Sequence, residues 1–488
     1  MLARYRAHAI SGVKWTGGST TFGMVLQLFQ MAVLARYLST EAFGLFGESM
    51  VVVGIALAFV DLGLAPALVQ REEVSDKVIT SLFWTISGVS VFTGLIVYAV
   101  SGCIGVFFGE IELVPLVSAS GCFVALFGMG QVPNAVLQRR LAFDRLSKVD
   151  IVSACCGVAV AISCAVKGFG AHAPIYGLVA SGGARFVGLM ISSRRWWRPS
   201  FHLQPREVRS FLAFGSYQTG ERIVNYLATN LDFVMIGRYL GTAALGPYYV
   251  AYQVVVQPML RLNPILTRVA FPFFSRTQSS DGEIARGYLR IERLIAFFAF
   301  PLLVGMAVVA PSFFPLYLGE GWIEAIFLGQ ILVPVSILKC LGNPMGSVFL
   351  AKGRPDIGFS LNGLRFLLNA LLFWWAVQSG LKAVVLVYVV SSAMAFWAGH
   401  IVLSRIIPVG LGSVVQTITP AMFMSTGMGI VVALAQLGLS GIQIDPVHRL
   451  GFLVSLGGTV YFILAFRLER PLLLDIRRWV LEMREDAD

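Results

Sequence analysis

The sequence predicts an all-α polytopic membrane protein with about 14 transmembrane helices. The chain of 488 residues is 57% hydrophobic and only 13% charged, whereas soluble globular chains carry about 25% charged residues. Apolar stretches of about 20 residues, which can cross a bilayer, recur along nearly the whole chain. None of these stretches shows the alternation of barrel strands. This composition excludes an ordinary soluble enzyme, a disordered chain and a secreted disulfide scaffold.

Each predicted span is an apolar run, and it should be helical because backbone amides in lipid must be satisfied within their own segment. In chain order the spans are 15–35, 43–69, 78–100, 113–137, 149–167, 173–192, 211–236, 243–267, 291–312, 323–350, 359–380, 383–404, 414–437 and 450–467. The tail 468–488 mixes apolar residues such as Trp479 with charges, which is typical of an amphipathic helix on the membrane surface. A solvated tail is the alternative.

The distribution of Lys and Arg predicts the orientation. With the N-terminus in the cytoplasm, 27 of the 37 Lys and Arg residues fall in inside segments and 5 in outside loops. Cytoplasmic loops carry such an excess of positive charge. We therefore expect a multi-pass membrane protein with both termini in the cytoplasm. The same distribution argues against nucleic acid as the partner of this basic chain.

An internal repeat predicts two related halves. Residues 35–46 (ARYLSTEAFGLF) and 237–248 (GRYLGTAALGPY) match at 6 of 12 positions with an offset of 202. Helices 1–6 and 7–12 would then form two pseudo-symmetric six-helix lobes around a central cavity, plus two extra helices. A lobe of six helices begins and ends on the same side of the membrane, so both lobes should have the same orientation. They should therefore be related by an axis along the membrane normal. The expected parts are an N-lobe at 1–192, an inter-lobe loop at 193–210, a C-lobe at 211–408, helices 13–14 at 409–467 and the tail at 468–488.

Polar side chains follow one face of several predicted spans, and we expect them to line that cavity. On helix 7 the spacing of the stripe is 4, 3, 4 and 3 residues, and the equivalent stripe of helix 1 is polar but uncharged. The candidate substrate-binding residues are Arg222, Arg261, Gln218, Asn225, Thr229, Gln253, Gln257, Gln27, Gln30 and Thr20. The candidate coupling-ion residues are Asp61 and Asp232.

The intramembrane charges leave alternatives open. Arg222 and Arg261 suit capture of an anionic substrate through charge-assisted hydrogen bonds, but each is equally suited to a salt bridge with a neighbouring acid. Asp61 suits a coupling ion or a hydrogen bond to a helix end. Arg365 and Lys339 lie where a long side chain can snorkel to the membrane surface.

The chain lacks the motifs of several enzyme classes. It contains no GxxxxGK[ST], HExxH or GxSxG sequence, so we expect no ATP-hydrolysing site, no metal site and no cofactor. Its six cysteines form no CxxC pair. A membrane-embedded enzyme remains an alternative, although the loops are short for a catalytic domain.

The chain resembles the Wzx-type oligosaccharide flippases of the polysaccharide transporter family, within the multidrug/oligosaccharidyl-lipid/polysaccharide exporter superfamily. The resemblance is nearest to the colanic-acid type and covers roughly residues 10–465. It is carried by STEAFGLF (39–46), DLGLAPALVQ (61–70), LQRRLAFDRLS (137–147), NYLATNLDFVMIGRYLG (225–241), LTRVAFPFFSR (266–276) and LAKGRPD (350–356).

This resemblance implies a secondary transporter that flips a polyprenyl diphosphate-linked oligosaccharide across the bacterial cytoplasmic (inner) membrane by alternating access. It also implies coupling to a proton or sodium gradient and work alongside a polysaccharide polymerase and chain-length machinery. The same superfamily supplies the alternative of a multidrug exporter of organic cations. Helix 1 has Thr and Gln where lipid II flippases have an arginine, which argues against lipid II as the substrate.

Overall fold

The computed structural model describes residues 2–60, 74–260, 280–439 and 441–474, together with Leu68 and Phe274. Side chains are described at these positions except at 2–14, 205–219 and 221. Within this part of the chain the regular structure is helical, and no strand occurs. By contacts the chain divides into two compact units, Met1–Gly246 and Pro247–Asp488.

Among the described residues, the first unit contains eight helices and the start of a ninth. They are α1 (Leu2–Tyr37), α2 (Thr40–Val60), α3 (Asp76–Phe108), α4 (Leu113–Met129), α5 (Gln131–Arg139), α6 (Phe143–Val166), α7 (His172–Ser193), α8 (Pro205–Leu240) and α9 (Thr242–Val255). Helix α8 packs against α2 and α3. The predicted boundaries between the lobes and the inter-lobe loop stay predictions.

After α9, the described part of the second unit has six helices and one turn of 3-10 helix. The helices are α10 (Asp281–Leu318), α11 (Ile323–Ala351), α12 (Pro355–Val377), α13 (Leu381–Leu403), α14 (Leu411–Gly438) and α15 (Pro446–Leu468), and the 3-10 turn is Glu320–Trp322. Helix α10 packs against α11, α14 and α15, while α13 packs against α11 and α12.

Every predicted span coincides with a helix, although the ends differ. The spans predicted at 43–69 and 243–267 run beyond α2 and α9 into residues outside the described part, and so does most of the tail 468–488. Twelve helical segments among the described residues are long and apolar enough to cross a membrane. The all-helical polytopic class is confirmed, but the count of 14 is not.

Two helical hairpins of the first unit pack through small residues. In α3 and α4 a Cβ placed on Gly94 would lie 2.5 Å from the carbonyl oxygen of Gly121, and a Cβ on Gly121 equally close to that of Gly94. Gly157 and Gly177 bring α6 and α7 together in a similar way. Close backbone approach of this kind drives helix association in lipid, where apolar burial gives no advantage.

The two copies of the repeat motif contact each other within the first unit. A Cβ on Gly44 would overlap the backbone carbonyl of Thr242, and a Cβ on Gly246 would overlap the carbonyl of Thr40. The offset of 202 makes Thr40 equivalent to Thr242 and Gly44 equivalent to Gly246. We call this the reciprocal contact. Each copy therefore uses the same two positions to contact the other, as in a two-fold interface.

The segment after α7 is fastened to α3. Trp197 is buried against Phe83, with ring centroids 5.3 Å apart, and its Nε1 donates to the Thr80 hydroxyl at 3.1 Å. The backbone N–H of Gln204 donates to the Ser81 hydroxyl at 3.2 Å. These contacts fix the start of α8 relative to α3.

Candidate functional site

Helix α8 carries the charged stripe that the sequence predicted. Arg222 and Thr229 are half-buried, Asn225 is exposed, and Asp232 is 1% exposed. The Thr229 hydroxyl donates to the backbone carbonyl of Asn225 at 2.7 Å. Gln218 lies on the same helix, but its side chain is outside the described part of the structure.

A kink at Asn230 interrupts this stripe. Asn230 has φ −118° and ψ 17°, and its Nδ2 donates to the Tyr226 carbonyl at 2.9 Å. The Tyr226 hydroxyl donates to the Met50 carbonyl at 3.0 Å, and its ring fills the space beside Gly54. Asp232 lies beyond the kink and is buried, whereas Asn225 before it is exposed. The polar residues that are evenly spaced in the sequence therefore do not form one straight row along the helix.

The other predicted site residues lie on separate elements. Thr20, Gln27 and Gln30 are half-buried on α1, where the Thr20 hydroxyl donates to the Thr16 carbonyl at 2.7 Å. Gln253 on α9 and Gln257 just beyond it are also half-buried. Arg261 and Asp61 fall outside the described residues. The role of the whole set in substrate or ion binding stays a prediction.

A buried acid lies where α2 meets α8. Glu48 is 0% exposed, and neither carboxylate oxygen has a hydrogen-bond partner among the described residues. Its side chain lies against Gly237, which has no Cβ and so leaves room for it, and Phe108 closes the same space. Glu48 was one of the intramembrane acids in the sequence but not one of the predicted site residues.

A cavity in the first unit contains an ion pair. Arg185 Nε lies 2.9 Å from Asp150 Oδ1, and the guanidinium carbon lies 6.0 Å from the centroid of the Phe127 ring. The cavity has a volume of 280 Å³ and is lined by α4, α6 and α7. Both residues lie in predicted spans, Arg185 in 173–192 and Asp150 in 149–167, but neither was among the predicted site residues.

Lys339 of α11 is held between two tyrosines of the second unit. Its Nζ donates to the Tyr252 hydroxyl at 3.1 Å and to the Tyr388 hydroxyl at 2.5 Å. It also lies 5.2 Å and 5.0 Å from the two ring centroids, within the range of cation–π attraction. The expectation that Lys339 snorkels to the surface is wrong, because these buried rings hold its ammonium group inside the bundle.

A second buried polar cluster joins α10 to α13 and was not foreseen. Tyr288, Glu292 and His400 are 0%, 0% and 1% exposed. The Tyr288 hydroxyl lies 2.7 Å from Glu292 Oε1 and 2.9 Å from His400 Nε2. Among the described residues no group of His, Cys, Asp and Glu is arranged to hold a metal ion. We refer to these three residues as the Tyr288 cluster.

These features define the class: a polytopic helical membrane protein with charged and polar groups buried among its helices. The model of a family described as polysaccharide biosynthesis protein matches residues 33–327. The chain belongs to this polysaccharide biosynthesis protein family.

Two relatives and one solved structure are informative. The teichuronic acid biosynthesis protein TuaB of Bacillus subtilis is 33% identical over 461 residues, which are 93% of this chain and 94% of that protein. The lipopolysaccharide biosynthesis protein WzxC of Escherichia coli is 33% identical over 357 residues, 73% of each chain. The lipid II flippase MurJ in an inward closed conformation superposes with a TM-score of 0.77 at 14% identity, covering 94% of this chain and 99% of that one.

Proposed function

We propose that this protein is a transporter of the inner membrane that flips a polyprenyl diphosphate-linked oligosaccharide from the cytoplasmic to the outer leaflet. The observation that carries the proposal is the combination of two likenesses. The sequence is similar along most of its length to proteins named for polysaccharide biosynthesis, and the fold is similar to that of a lipid flippase.

The buried charges support a polar, charged cargo. Placing an arginine such as Arg222 in a transmembrane helix costs about 2.5–3.5 kcal/mol on insertion scales, so such residues face protein or water and mark substrate and ion pathways. We propose that Arg222 and Arg261 hold the diphosphate, that the Gln, Asn and Thr residues of the predicted stripes bind sugars, and that Asp61 or Asp232 binds a coupling ion. The predicted central cavity would open to one leaflet and then to the other.

Further parts of the proposal concern orientation and partners. Both termini lie in the cytoplasm, as the positive charges suggest. A proton or sodium gradient biases the cycle, and a polysaccharide polymerase with its chain-length machinery receives the product. The multidrug-exporter alternative is not favoured, because the relatives are named for polysaccharide biosynthesis.

The test measures the leaflet position of a labelled polyprenyl diphosphate oligosaccharide in vesicles with and without the purified full chain. We expect the protein to accelerate movement of the label between leaflets. Movement at the rate of protein-free vesicles would refute the proposal. A fluorescent organic cation in the same vesicles tests the multidrug alternative, and we expect its efflux to be unaffected by the protein.

A further inference from the structure

The hydrogen bonds of the Tyr288 cluster fix where its protons are. His400 Nδ1 lies 2.9 Å from the backbone carbonyl of Phe396. A carbonyl oxygen only accepts, so Nδ1 carries a hydrogen. The other ring nitrogen, Nε2, faces the Tyr288 hydroxyl at 2.9 Å. Whether Nε2 donates or accepts therefore depends on the hydrogen of Tyr288.

The Tyr288 hydroxyl has one hydrogen and two close partners. It lies 2.7 Å from Glu292 Oε1 and 2.9 Å from His400 Nε2, and it can donate to only one of them. Both contacts are hydrogen bonds only when the other partner donates to the tyrosine oxygen. Either Glu292 carries a hydrogen while Tyr288 donates to His400, or His400 carries a hydrogen on Nε2 while Tyr288 donates to Glu292.

The two arrangements contain the same number of protons. To pass from the first to the second, the Glu292 hydrogen moves to the Tyr288 oxygen as the Tyr288 hydrogen moves to Nε2, so that two O–H bonds break, one O–H and one N–H bond form, and the total charge is conserved. With one proton fewer, either the carboxylate or Nε2 faces the tyrosine oxygen without a hydrogen between them. With one proton more, one hydrogen has no acceptor: that of Tyr288 if Glu292 is protonated on Oε1, or that of the carboxyl if it is protonated on Oε2, which has no partner among the described residues. Both contacts of the tyrosine hydroxyl are therefore satisfied, with no hydrogen left over, when the cluster holds one mobile proton.

Other charges near the cluster are paired elsewhere. Arg293, on α10 directly after Glu292, forms an ion pair with Glu469, and Lys352, directly after α11, forms one with Asp281. The Tyr461 hydroxyl of α15 donates to the Phe297 carbonyl at 2.7 Å, and α14 has no ionisable side chain. These groups therefore do not supply a counter-charge or a hydrogen bond to the Tyr288 cluster.

The remaining ionisable side chains on the helices around the cluster do not hydrogen-bond to it. Lys339 and Tyr388 bond to each other, and Arg354 and Asp356 form an exposed pair. The others on α10 to α13 and α15 are Glu283, Arg286, Arg290, Tyr317, Glu324, Cys340, Arg365, Lys382, His448, Arg449 and Arg467.

We propose that the Tyr288 cluster is a proton-binding site that links the transport cycle to a pH gradient. The inference rests on the proposed transport function; it names the proton as the coupling ion and places it at a site separate from Asp61 and Asp232, the coupling-ion candidates of the sequence. With the proton bound, both contacts of the Tyr288 hydroxyl are hydrogen bonds in a fully buried environment: the one to Glu292 lies within α10, and the one to His400 joins α10 to α13. Loss of the proton leaves an uncompensated buried carboxylate, which is costly inside a protein. A charged carboxylate is the stronger acceptor, so the tyrosine then donates to Glu292 and the bond to His400 is lost. The proton load therefore controls the hydrogen bond that joins α10 to α13.

Glu292→Gln is the decisive variant, because a glutamine amide donates to the tyrosine oxygen as a protonated carboxyl does. This variant keeps the packing but cannot release the proton. Tyr461→Phe is the matched control: it also removes the ionisable partner from a buried hydrogen bond between helices of this unit, but leaves the cluster intact.

The first measurement needs no substrate. Infrared difference spectra of the purified full chain, recorded as the pH is raised, should contain carboxyl or imidazolium bands that Glu292→Gln removes and Tyr461→Phe keeps. His400→Gln should change the same bands, because the proton is shared. Identical difference spectra for the wild type and Glu292→Gln would overturn the proposal.

The second measurement uses the vesicles and labelled polyprenyl diphosphate oligosaccharide described above, with and without a gradient of one pH unit. One proton moved per cycle supports up to about a tenfold accumulation across such a gradient. We expect the wild type and Tyr461→Phe to respond to the gradient and Glu292→Gln to flip the label at a rate that ignores it. A full gradient response in Glu292→Gln would overturn the proton site. A wild type that flips nothing would instead refute the transport function, and the infrared result would then decide the proton site alone.

Discussion

Replacing Gly44 by alanine tests the reciprocal contact. The added methyl group would overlap the Thr242 carbonyl, and a backbone group cannot rotate aside, so α2 and α9 must separate. Overpacking of this kind costs about 1–3 kcal/mol. Gly88, inside α3, is the matched control, because nothing lies within 4 Å of a Cβ placed there. Alanine in a helix interior is otherwise favoured over glycine by about 0.5–1 kcal/mol, and that gain is common to both variants.

The measurement is the unfolding of each purified variant in one detergent. We expect Gly88→Ala to be at least as stable as the wild type and Gly44→Ala to fall below Gly88→Ala by the cost of overlap. Equal stability of the two alanine variants would refute the close approach of α2 and α9.

The double variant tests reciprocity. A Cβ on Gly246 would overlap the Thr40 carbonyl and lie 3.3 Å from the Gly44 nitrogen, so both glycines serve one contact. After the first alanine has separated the helices, the second finds space. We expect Gly44→Ala with Gly246→Ala to lose less stability than the sum of the single losses, with a coupling of about 0.5–3 kcal/mol. Strictly additive losses would show two independent contacts.

Three further predictions concern charged residues. Arg222→Ala should slow flipping of the labelled lipid more than Arg365→Ala, and near-normal rates in both variants would remove the proposed diphosphate site. Lys339→Met should lower the unfolding midpoint because it leaves two buried tyrosine hydroxyls without their cation, whereas Lys382→Met, which removes an exposed ammonium 5.0 Å from one ring, should leave the midpoint unchanged. Two backbone N–H groups in the first turn of α15 hold the pKa of Asp445 below its usual range. The ionised side chain therefore stabilises the folded protein. This stabilisation is complete above the unfolded pKa of about 3.9 and is lost as the pH falls through the lower folded pKa. Unfolding of Asp445→Asn should lack this acid-dependent loss, and identical acid profiles would contradict the prediction.

The helices could be predicted because hydropathy is local and accumulates over about 20 residues. Their ends could not, and one error hid a site. The span predicted at 291–312 corresponds to α10, which begins at Asp281 because the Ser280 hydroxyl accepts from the Glu283 N–H and caps it. Its first turns are amphipathic, so hydropathy left them out. Tyr288 was therefore left in a loop and Glu292 fell on the second residue of the predicted span, although both lie inside the helix.

The partners of buried charges could not be predicted because they are far apart in the chain. His400 meets Tyr288 across 112 residues, and Lys339 meets Tyr252 across 87. A single histidine or tyrosine in an apolar helix has no periodic pattern that marks its neighbour. The repeat was visible in the sequence, yet the contact between its two copies was not, because similarity of two segments does not say that they touch. The stripe on α8 was predicted as one face, but the kink at Asn230 depends on a side chain-to-backbone bond that spacing does not encode.

The reciprocal contact has an evolutionary consequence. After a gene duplication, each copy of a segment ordinarily drifts on its own, since a change in one copy leaves the other intact. Here a larger residue in place of Gly44 would overlap the backbone of Thr242, and one in place of Gly246 would overlap the backbone of Thr40. The two halves are thus constrained together at these positions: a larger residue in either copy meets the backbone of the other, whatever side chain the other copy carries there.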